Sequence, residues 1–532
     1  MPDAVYTFKH ALVRDAAHGS LLRKDRQQLH ADIAEALETD SPEIAGSHPE
    51  LLAQHYAEAG RIEKSVMYWG MAGHRSAARS AMAEAAAQYQ KGLDQLALLS
   101  DNPDRQRQEL ELRSSLGAAL LVVKGYGAPE AGQAYIRARE LWEELGSPSE
   151  FLRVPYGQSL YHMNRSEFDM AQSLADDLLR LSRQRNDSAG LILGHYTSAR
   201  SLGFKGNLPQ WQSHLEAALA LYDPICHRSL IEDAGFHPSV GARANLAIVL
   251  LLRGFPDQAL VQSQAAVAEA RTLAHPPTLG VILHYSTTVL SLIGEDPALN
   301  EAADELVAIA TEQGFPFWGA LGTICRGWVK AKDADVIEGI SILRHGLRAF
   351  RATGAQAWVP FLIAFLARAC EIAGQVEEGL TLLDDAMQIA ERTGERWFEA
   401  ELYRHKGQLL LRQGRTQAAE ELYHRALAIA REQEAKLWEL RAAEPYPAAA
   451  RPRPPRRSAR PARACLRLVH RRLRYTRPER SKGPARRTRL SCSAAIICAG
   501  PESCATLITA TVVLYLARRR RRRVESNATA AS

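Results

Sequence analysis

The chain has 532 residues, 46% of them hydrophobic and 24% charged, so it is long enough for several domains or one extended repeat array. Its net charge of +6 is the sum of two unlike parts. The first 444 residues carry 44 basic and 57 acidic side chains, and the rest carry 22 basic and 3 acidic ones. Seven cysteines, three of them far apart in the acidic part, exclude a disulfide scaffold and favour a reducing cytoplasm.

Residues 1–45 differ in character from the rest of the acidic part. They begin MPDAVYTFKH, without an apolar stretch that would direct export. Residues 6–38, YTFKHALVRDAAHGSLLRKDRQQLHADIAEALE, carry an apolar stripe among basic side chains. This stretch resembles the end of the ATPase module in STAND-type signalling proteins, where a small helical or winged-helix lid joins a tetratricopeptide array. In particular it is similar to bacterial class III adenylate/guanylate cyclases, in which a cyclase domain and a predicted ATPase precede the repeats.

That resemblance implies one candidate nucleotide-sensing residue. In such modules a Phe-x-His element places a histidine near the phosphates of the nucleotide, and the matching residue here is His10. His18 stands where the family often has tyrosine. The chain contains no GxxxxGK[ST] loop, and no cyclase-like domain precedes Tyr6. The resemblance therefore implies a lid remnant with a vestigial His10, in a chain truncated at its amino terminus; an ordinary helix histidine is the alternative.

Glycines mark a period of 40 residues in the second half of the acidic part. One series is Gly254, Gly294, Gly374 and Gly414, with Ala334 in the missing slot, and a second series twenty residues later is Gly314, Gly354 and Gly394. A glycine just past a helix end adopts the left-handed conformation readily, so each unit is predicted to be a pair of helices. Looser units of the same kind occur upstream, around Gly92, Ala138 and Ala175.

Aromatic and small residues recur in the same register. The aromatic positions are Trp318, Trp358, Trp397 and Trp438, and the small ones include Ala266, Gly346, Ala386 and Ala426, each followed four residues later by Ala270, Phe350, Ala390 or Ala430. Spacing of i and i+4 places such residues on one helix face, where neighbouring helices pack closely, and pairs of this kind stack. We interpret the tryptophans as interhelical core, because a stacked-ligand site would need convergent polar partners that the pattern does not reveal.

This pattern resembles the tetratricopeptide repeat, whose common period is about 34 residues, in a longer variant found in large bacterial signalling proteins. The resemblance covers residues 48–443 and implies an all-α fold, a tetratricopeptide-like α-solenoid of helix-pair repeats. No HExxH, CxxC, GxSxG or GxGxxG motif is present. The scattered histidines His162, His195, His227 and His345 lack ligand-like partners in the sequence, so we expect no catalytic residue, metal or cofactor.

Residues 444–532 are predicted to be a disordered Arg/Pro-rich tail. The apolar segment 504–517, CATLITATVVLYLA, is short for a membrane span, which needs about 20 residues, so no membrane partner is expected. Every Arg codon has G in its second position, so a reading frame one nucleotide later contains GNN codons for Ala, Asp, Glu, Gly or Val at those places.

When allowed codons for residues 451–487 are read one nucleotide later, they can encode a sequence that resembles the repeats. Its first Gly falls at position 453, one place from the 454 that the period predicts, and a stop is permitted at Leu490–Ser491. We therefore expect the chain to be frameshifted after about residue 443. The array would then lack a terminal cap and expose the face around Tyr423, Leu427 and Trp438.

The sequence thus predicts a cytoplasmic, non-enzymatic protein-interaction or autoinhibitory scaffold from a cyclase-linked signalling ATPase. Its inner helices would present a concave face to a protein partner or to the missing cyclase and ATPase domains. Two alternatives stay open. A transcription regulator of the maltose-activator type would add a carboxyl-terminal helix-turn-helix, which is not evident here. A nucleic-acid-binding protein would use the arginine tail, but that tail offers charge with almost no aromatic stacking platforms, so no specific nucleic acid is expected.

Overall fold

The computed structural model describes residues 22–148, 151–227, 229–333 and 335–443. These residues form an all-α fold, and none of them lies in a β-strand. The helices are α1 Arg23–Asp40, α2 Pro42–Ser47, α3 Pro49–Glu58, α4 Ile62–Ala78, α5 Met82–Leu96, α6 Pro103–Val123, α7 Pro129–Glu144, α8 Arg153–Asn164, α9 Phe168–Arg185, α10 Ser188–Phe204, α11 Leu208–Leu221, α12 Leu230–Ala234, α13 Pro238–Leu252, α14 Pro256–Leu273, α15 Pro276–Ile293, α16 Asp296–Gln313, α17 Pro316–Asp333, α18 Val336–Ala352, α19 Val359–Ile372, α20 Val376–Thr393, α21 Glu399–Arg412, α22 Thr416–Glu432 and α23 Lys436–Ala443.

The predicted glycine turns are confirmed. All seven glycines of the two series lie just past helix ends with φ between 70° and 93°. Where the period reaches position 434, Glu434 takes the same left-handed conformation with φ 55°, although it has a side chain. Position 334 lies outside the described residues. The 40-residue repeat in the sequence is therefore a repeat of two helices and two tight turns.

Residues at the helix starts explain where many of the helices begin. Proline occupies the first turn of α13 to α17, where the missing N–H group would have no helical partner. Side-chain caps act elsewhere: the Asn102 side chain accepts a hydrogen bond from the backbone N–H of Arg105 at 2.9 Å. Asp335 caps α18 in the same way through the N–H of Glu338, at 3.2 Å.

The two helices of a repeat are buried to different extents. In α13, 14 of 15 residues are buried, whereas 4 of 18 are buried in the following α14. The alternation continues along the array, with α15, α17, α19 and α21 as inner helices and α16, α18, α20 and α22 as outer ones. A helix that is apolar on nearly all sides must be surrounded by protein. The outer helices bury one small-residue stripe, as the sequence predicted for Ala266 and Ala270.

The expectation that the inner helices present an open concave face is therefore wrong for this part of the chain. Aromatic side chains at helix ends and in turns contact one another across the array: Phe204, the last residue of α10, packs edge-on against Trp358 at 5.2 Å between ring centroids, and Tyr126 packs against Trp318 at 5.9 Å. One continuous apolar core extends from Leu121 to Trp438. The interior is filled because the array curves tightly enough for inner side chains to meet.

The carboxyl-terminal face is also less exposed than predicted. Tyr423 is 1% and Trp438 is 0% exposed. Trp438 packs edge-on against Phe398 at 5.5 Å and donates its Nε1–H to the carbonyl of Trp397 at 3.0 Å. The short helix α23 thus packs against the start of α21 and the turn before it at the end of the described array.

Part of the predicted lid lies within the described residues. Helix α1 packs on α3 and α4 in a small separate core that includes Ala34, Leu52 and Tyr56. Residues 1–21, which contain His10, and the tail 444–532, which contains the segment 504–517, lie outside the described residues. Within the described ranges, every helix is too short or too polar to cross a bilayer.

Candidate functional site

The array bends back on itself, so that turns of its first half contact turns of its second half. We call this line of contact the seam. One side consists of the turns 124–128, 164–167 and 204–207, and the other consists of the turns 353–358 and 394–398. The seam therefore joins parts of the chain that are far apart in sequence.

Backbone hydrogen bonds hold the seam. The carbonyl of Asn164, the last residue of α8, accepts a bond from the N–H of Gln356 at 2.8 Å. The carbonyl of Phe204, the last residue of α10, accepts bonds from the N–H groups of Arg396 at 2.7 Å and Trp397 at 3.3 Å. The last carbonyls of a helix lack partners within it, and the N–H groups before a helix do too, so the two sets of groups complement each other.

Two glycines permit the closest approach of the two sides. A Cβ atom added at Gly127 would lie 2.3 Å from the carbonyl carbon of Gly354, and one added at Gly125 would lie 2.5 Å from Cβ of Thr353. A Cβ atom at Gly127 would meet backbone atoms, which cannot rotate away as a flexible side chain can. Any side chain at Gly127 would therefore force the seam apart.

A cavity lies directly behind the seam, and we call it the Arg200 pocket. It encloses about 340 Å³ of empty space, part of it open to solvent. Aromatic rings form most of its walls, with Tyr126 and Trp358 contributed by the two sides of the seam and Trp318 by α17. Arg200 on α10 also lines a neighbouring small cavity, together with Trp211 and Trp397.

Arg200 brings a positive charge into this aromatic interior. Its guanidinium lies over the ring of Tyr196, 5.8 Å from the centroid. Within the described part of the chain it forms no ion pair with a carboxylate. The hydroxyls of Tyr196 and Tyr285 lie 3.2 Å apart and share a hydrogen bond. A guanidinium stays protonated at any physiological pH, so the pocket carries a positive charge that nearby protein acids do not balance.

His284 on α15 is a second polar group in the Arg200 pocket. Burial, and then the charge of Arg200, lower its pKa to about 3, so its imidazole is neutral at neutral pH. Among the described residues its Nε2 atom has no hydrogen-bond partner, although the side chain is buried. An unpartnered buried nitrogen beside an uncompensated cation points to a missing polar partner.

Trp358 forms a strained wall of the pocket. It has φ 73°, a left-handed conformation that is rare for a bulky residue. Its N–H donates to Oε2 of Glu395 at 3.1 Å, and Oε1 of the same carboxyl accepts from Nε1 of Trp397 at 3.0 Å. Glu395 is 1% exposed, and burial raises its pKa to about 8. One buried acid thus connects the two tryptophans that follow the seam turns.

A cluster of charges fastens the end of the array. Glu401, which is 1% exposed, pairs with Arg404 at 2.6 Å and with Arg441 at 3.0 Å. Burial alone would raise the pKa of Glu401, but these two guanidinium groups hold it well below its ordinary value. Arg441 also donates to the carbonyl of Leu292, 149 residues away. Arg368 stacks over Trp328 at 4.3 Å, and burial lowers its pKa to about 10. This cluster serves closure of the array.

The outer surface carries a larger groove beside α20, α21 and α22, which we call the outer groove. It contains about 1050 Å³ of empty space. Its lining includes Asp384, Gln388, Arg396, Tyr403 and Arg425, so acidic, basic and aromatic groups alternate along it. The guanidinium of Arg425 lies 5.9 Å from the ring centroid of Tyr403. Such a mixed surface suits contact with another protein.

The structure describes some of the histidines named from the sequence and not others. His10 lies outside the described residues, so its nucleotide-sensing role stays a prediction. His195 lies 3.1 Å from His214 between Nδ1 atoms, and His227 lies 2.7 Å from the hydroxyl of Ser188, so both histidines contact side chains of other elements. Within the ranges the structure covers, no group of three or more His, Cys, Asp or Glu side chains could hold a metal ion.

The sequence pattern did not single out Arg200, His284 or Glu395. For Arg200 a signal existed, because it is the single Lys, Arg, Asp or Glu residue in the helix SAGLILGHYTSARSLGF. In the sequence His284 is one of many histidines, and Glu395 is only a residue next to a turn glycine. Their significance depends on contacts across the seam, which local spacing does not encode.

Comparisons with known proteins place the fold. The tetratricopeptide repeat family matches residues 360–432. The crystal structure of Rap protein complexed with Competence and Sporulation Factor has a TM-score of 0.50 with this chain, at 12% identity, covering 70% of this chain and 98% of the Rap chain. The APC/C hetero-tetramer Cut9-Hcn1 has a TM-score of 0.33 at 14% identity, over 81% of this chain and 99% of that one. The family match and the likeness to the Rap structure identify the described array as an α-solenoid of the tetratricopeptide type.

One curated relative matches over a greater length. It is an uncharacterized protein of Rhizobium meliloti (strain 1021), 25% identical over 413 residues. The match covers 77% of this chain and 40% of the relative, so the chain spans about two-fifths of the length of the relative it matches.

Proposed function

We propose that this chain is a non-enzymatic protein-interaction scaffold that binds a partner protein in the outer groove. The observation that carries the proposal is the location of this groove within the region that matches the tetratricopeptide repeat family. Helices α13, α15 and α19 are buried on nearly all sides, whereas α21 buries 7 of its 14 residues and leaves a half-buried face, which includes Tyr403, beside the outer helices α20 and α22. A partner would meet the aromatic face of Tyr403 and the charges of Arg396 and Arg425 there.

We further propose that the scaffold belongs to a cyclase-linked signalling ATPase. Residues 6–38 resemble the lid of such an ATPase, and the Rhizobium relative extends well beyond the matched region. The partner in the outer groove would then be a cyclase or ATPase domain, and the chain itself would neither hydrolyse nor cyclise ATP. The setting also accounts for the proposed cytoplasmic location.

Site-specific crosslinking tests the docking surface. A photoreactive amino acid replaces Gln388, an exposed residue of the outer groove, and a matched chain carries it at Gln264, an exposed glutamine on α14 outside the groove. The probe is the part of the Rhizobium relative outside the 413-residue match, expressed as a separate protein. We expect a crosslink from position 388 and none from position 264.

Affinity measurements complete the test. Arg425→Glu reverses a groove charge and is expected to weaken binding of the same probe at least tenfold, while Arg348→Glu on outer helix α18 leaves it unchanged. Equal crosslinking from both positions, or unchanged affinity in Arg425→Glu, would refute the outer groove as the docking surface. Turnover of ATP that survives purification would refute the non-enzymatic assignment.

A further inference from the structure

The Arg200 pocket combines a cation with unused hydrogen-bonding capacity. Arg200 is half-buried, so its guanidinium loses part of its hydration, and that loss is costly unless an anion or polar group replaces it. The ring of Tyr196 supplies part of that replacement through its π face. Glu395, the buried acid nearest in the chain to the pocket wall, uses both carboxyl oxygens on Trp358 and Trp397. The charge of Arg200 is left for a partner from outside the chain.

The lining of the Arg200 pocket also indicates the charge and the size of that partner. The neutral imidazole of His284 has an unpartnered Nε2 atom, which as an N–H would donate to an anion. The space open to the centre of a water molecule is about 20 Å³, which is room for one or two small groups. The surrounding rings, including Phe317 and Trp318, are apolar and give no place to a second charge.

We propose that the Arg200 pocket binds a small monocarboxylate, of the size of formate or acetate. A guanidinium presents two parallel N–H groups that match the two oxygens of a carboxylate, which favours this shape over a spherical ion. Arg200 provides the charge, His284 provides a further donor, and the aromatic rings exclude longer or dianionic acids.

The position of the pocket gives binding a structural consequence. Tyr126 and Asn164 come from one side of the seam and Trp358 from the other, and all three line the pocket. A bound carboxylate would join these walls through Arg200 and so hold the seam closed. A ligand that binds only the closed array stabilises it by mass action, in proportion to the logarithm of its concentration over Kd. The pocket thus makes closure of the array sensitive to a small acid.

The first experiment measures thermal melting and tryptophan fluorescence of the full chain at constant pH and ionic strength. The titrants are sodium formate and sodium acetate, with sodium chloride, sodium nitrate and sodium benzoate as the other arms. We expect a saturable fluorescence change with formate and acetate, because Trp318 and Trp358 line the pocket, and a rise in melting temperature of about 2–4 °C. Benzoate is too large for the space and is expected to give no saturable signal.

Variants assign the signal to the pocket. Arg200→Gln is expected to abolish saturation, and Arg200→Lys, which keeps the charge but loses the fork, is expected to weaken acetate binding at least tenfold. Arg243→Gln is the control, because Arg243 pairs with Glu269 and does not line the pocket. If Arg200→Gln does not fold, the lysine variant and His284→Phe carry the test, and His284→Phe is expected to weaken binding about fivefold or more.

Hydrogen exchange links binding to the seam. Acetate is expected to slow exchange of the Gln356 and Arg396 amides, which bond across the seam, at least fivefold, and to leave the amides of α4 unchanged. Equal responses to chloride and nitrate would overturn a carboxylate site, and an undiminished response in Arg200→Lys or a lack of saturation in the native chain would overturn the pocket. Each result is independent of binding in the outer groove.

Discussion

Residues 22–123 and residues 124–443 are built from similar helix pairs but bury their apolar surface in different ways. In the first region the cores are small and separate, and 4 of the 10 residues of α3 are buried. In the second region a large core that begins at Leu121 continues to Trp438 beside one small cluster around Trp142, and 14 of the 15 residues of α13 are buried. The same local architecture gives a stack of neighbours in one region and a closed body in the other.

Closure changes how a repeat protein is stabilised. In an open stack each repeat contacts its neighbours alone, and its stability is a sum of nearest-neighbour terms. Across the seam, Asn164 and Phe204 contact residues 192 positions further along the chain, Gln356 and Arg396. We therefore expect residues 124–443 to unfold cooperatively and residues 22–123 to open separately.

The largest expected effect comes from separating the seam. Gly127→Val places a side chain 2.3 Å from the backbone of Gly354, and we expect a loss of about 4 kcal/mol in the unfolding free energy. Hydrogen exchange should quicken throughout residues 124–443 and stay unchanged in residues 22–123. Gly294→Ala is the control, since no atom lies within 4 Å of an added Cβ there, and it should cost about 1 kcal/mol for its φ of 86°. Equal effects of the two variants would contradict closure.

The second-largest expected effect is a pH dependence of stability that distinguishes residues 124–443 from residues 22–123. Burial raises the pKa of Glu395 to about 8, so its contribution to stability is complete below the ordinary pKa of glutamate and is lost as the pH rises through about 8. The seam region should lose on the order of 3 kcal/mol between pH 5 and 9. Glu395→Gln keeps an oxygen acceptor and should remove that loss, measured as the difference between denaturation curves of variant and native chain. An unchanged pH slope would show that Glu395 is not the titrating group.

The amino-terminal region is expected to respond at the opposite end of the pH scale. Glu38 accepts hydrogen bonds from Lys64 at 2.6 Å and from Tyr68 at 2.9 Å, and these bonds, with one from Tyr56, lower its pKa. Its contribution is present above the ordinary pKa of glutamate and is lost as the pH falls through the lowered value. Glu38→Gln should cost about 1 kcal/mol at pH 7. Exchange in α1 to α4 is the measurement, with exposed Glu35→Gln as control; an effect spread over residues 124–443 would contradict the separation.

The smallest effect is expected from deletion of residues 444–532. Trp438 and Arg441 already fasten α23 to α21, through the Trp397 carbonyl and Glu401. The unfolding free energy of the array should therefore change by less than about 0.5 kcal/mol, measured by denaturant unfolding of the full and shortened chains. A fall in melting temperature of more than about 5 °C on deletion would show that the tail contributes to the folded array.

The sequence predicted those features that depend on neighbours in the chain. The two glycine series located the turns, because a positive φ just past a helix end favours glycine, and the period located Glu434 where glycine is absent. The i and i+4 positions located the buried stripe of the outer helices, and Trp318 and Trp397 are buried as core residues. The lid remnant with His10, the domain boundaries and the frameshifted tail stay predictions.

The way in which the repeats close depends on contacts between distant parts of the chain. The curvature of a solenoid is the sum of small rotations between repeats, and a change of a few degrees in each one decides whether Phe204 and Trp358 meet or stay apart. Spacing along one helix records which residues share a face, but it does not record these angles. For that reason the seam, the charge of Arg200 in its aromatic pocket and the strained Trp358 tied to Glu395 emerge only when residues nearly 200 positions apart come together.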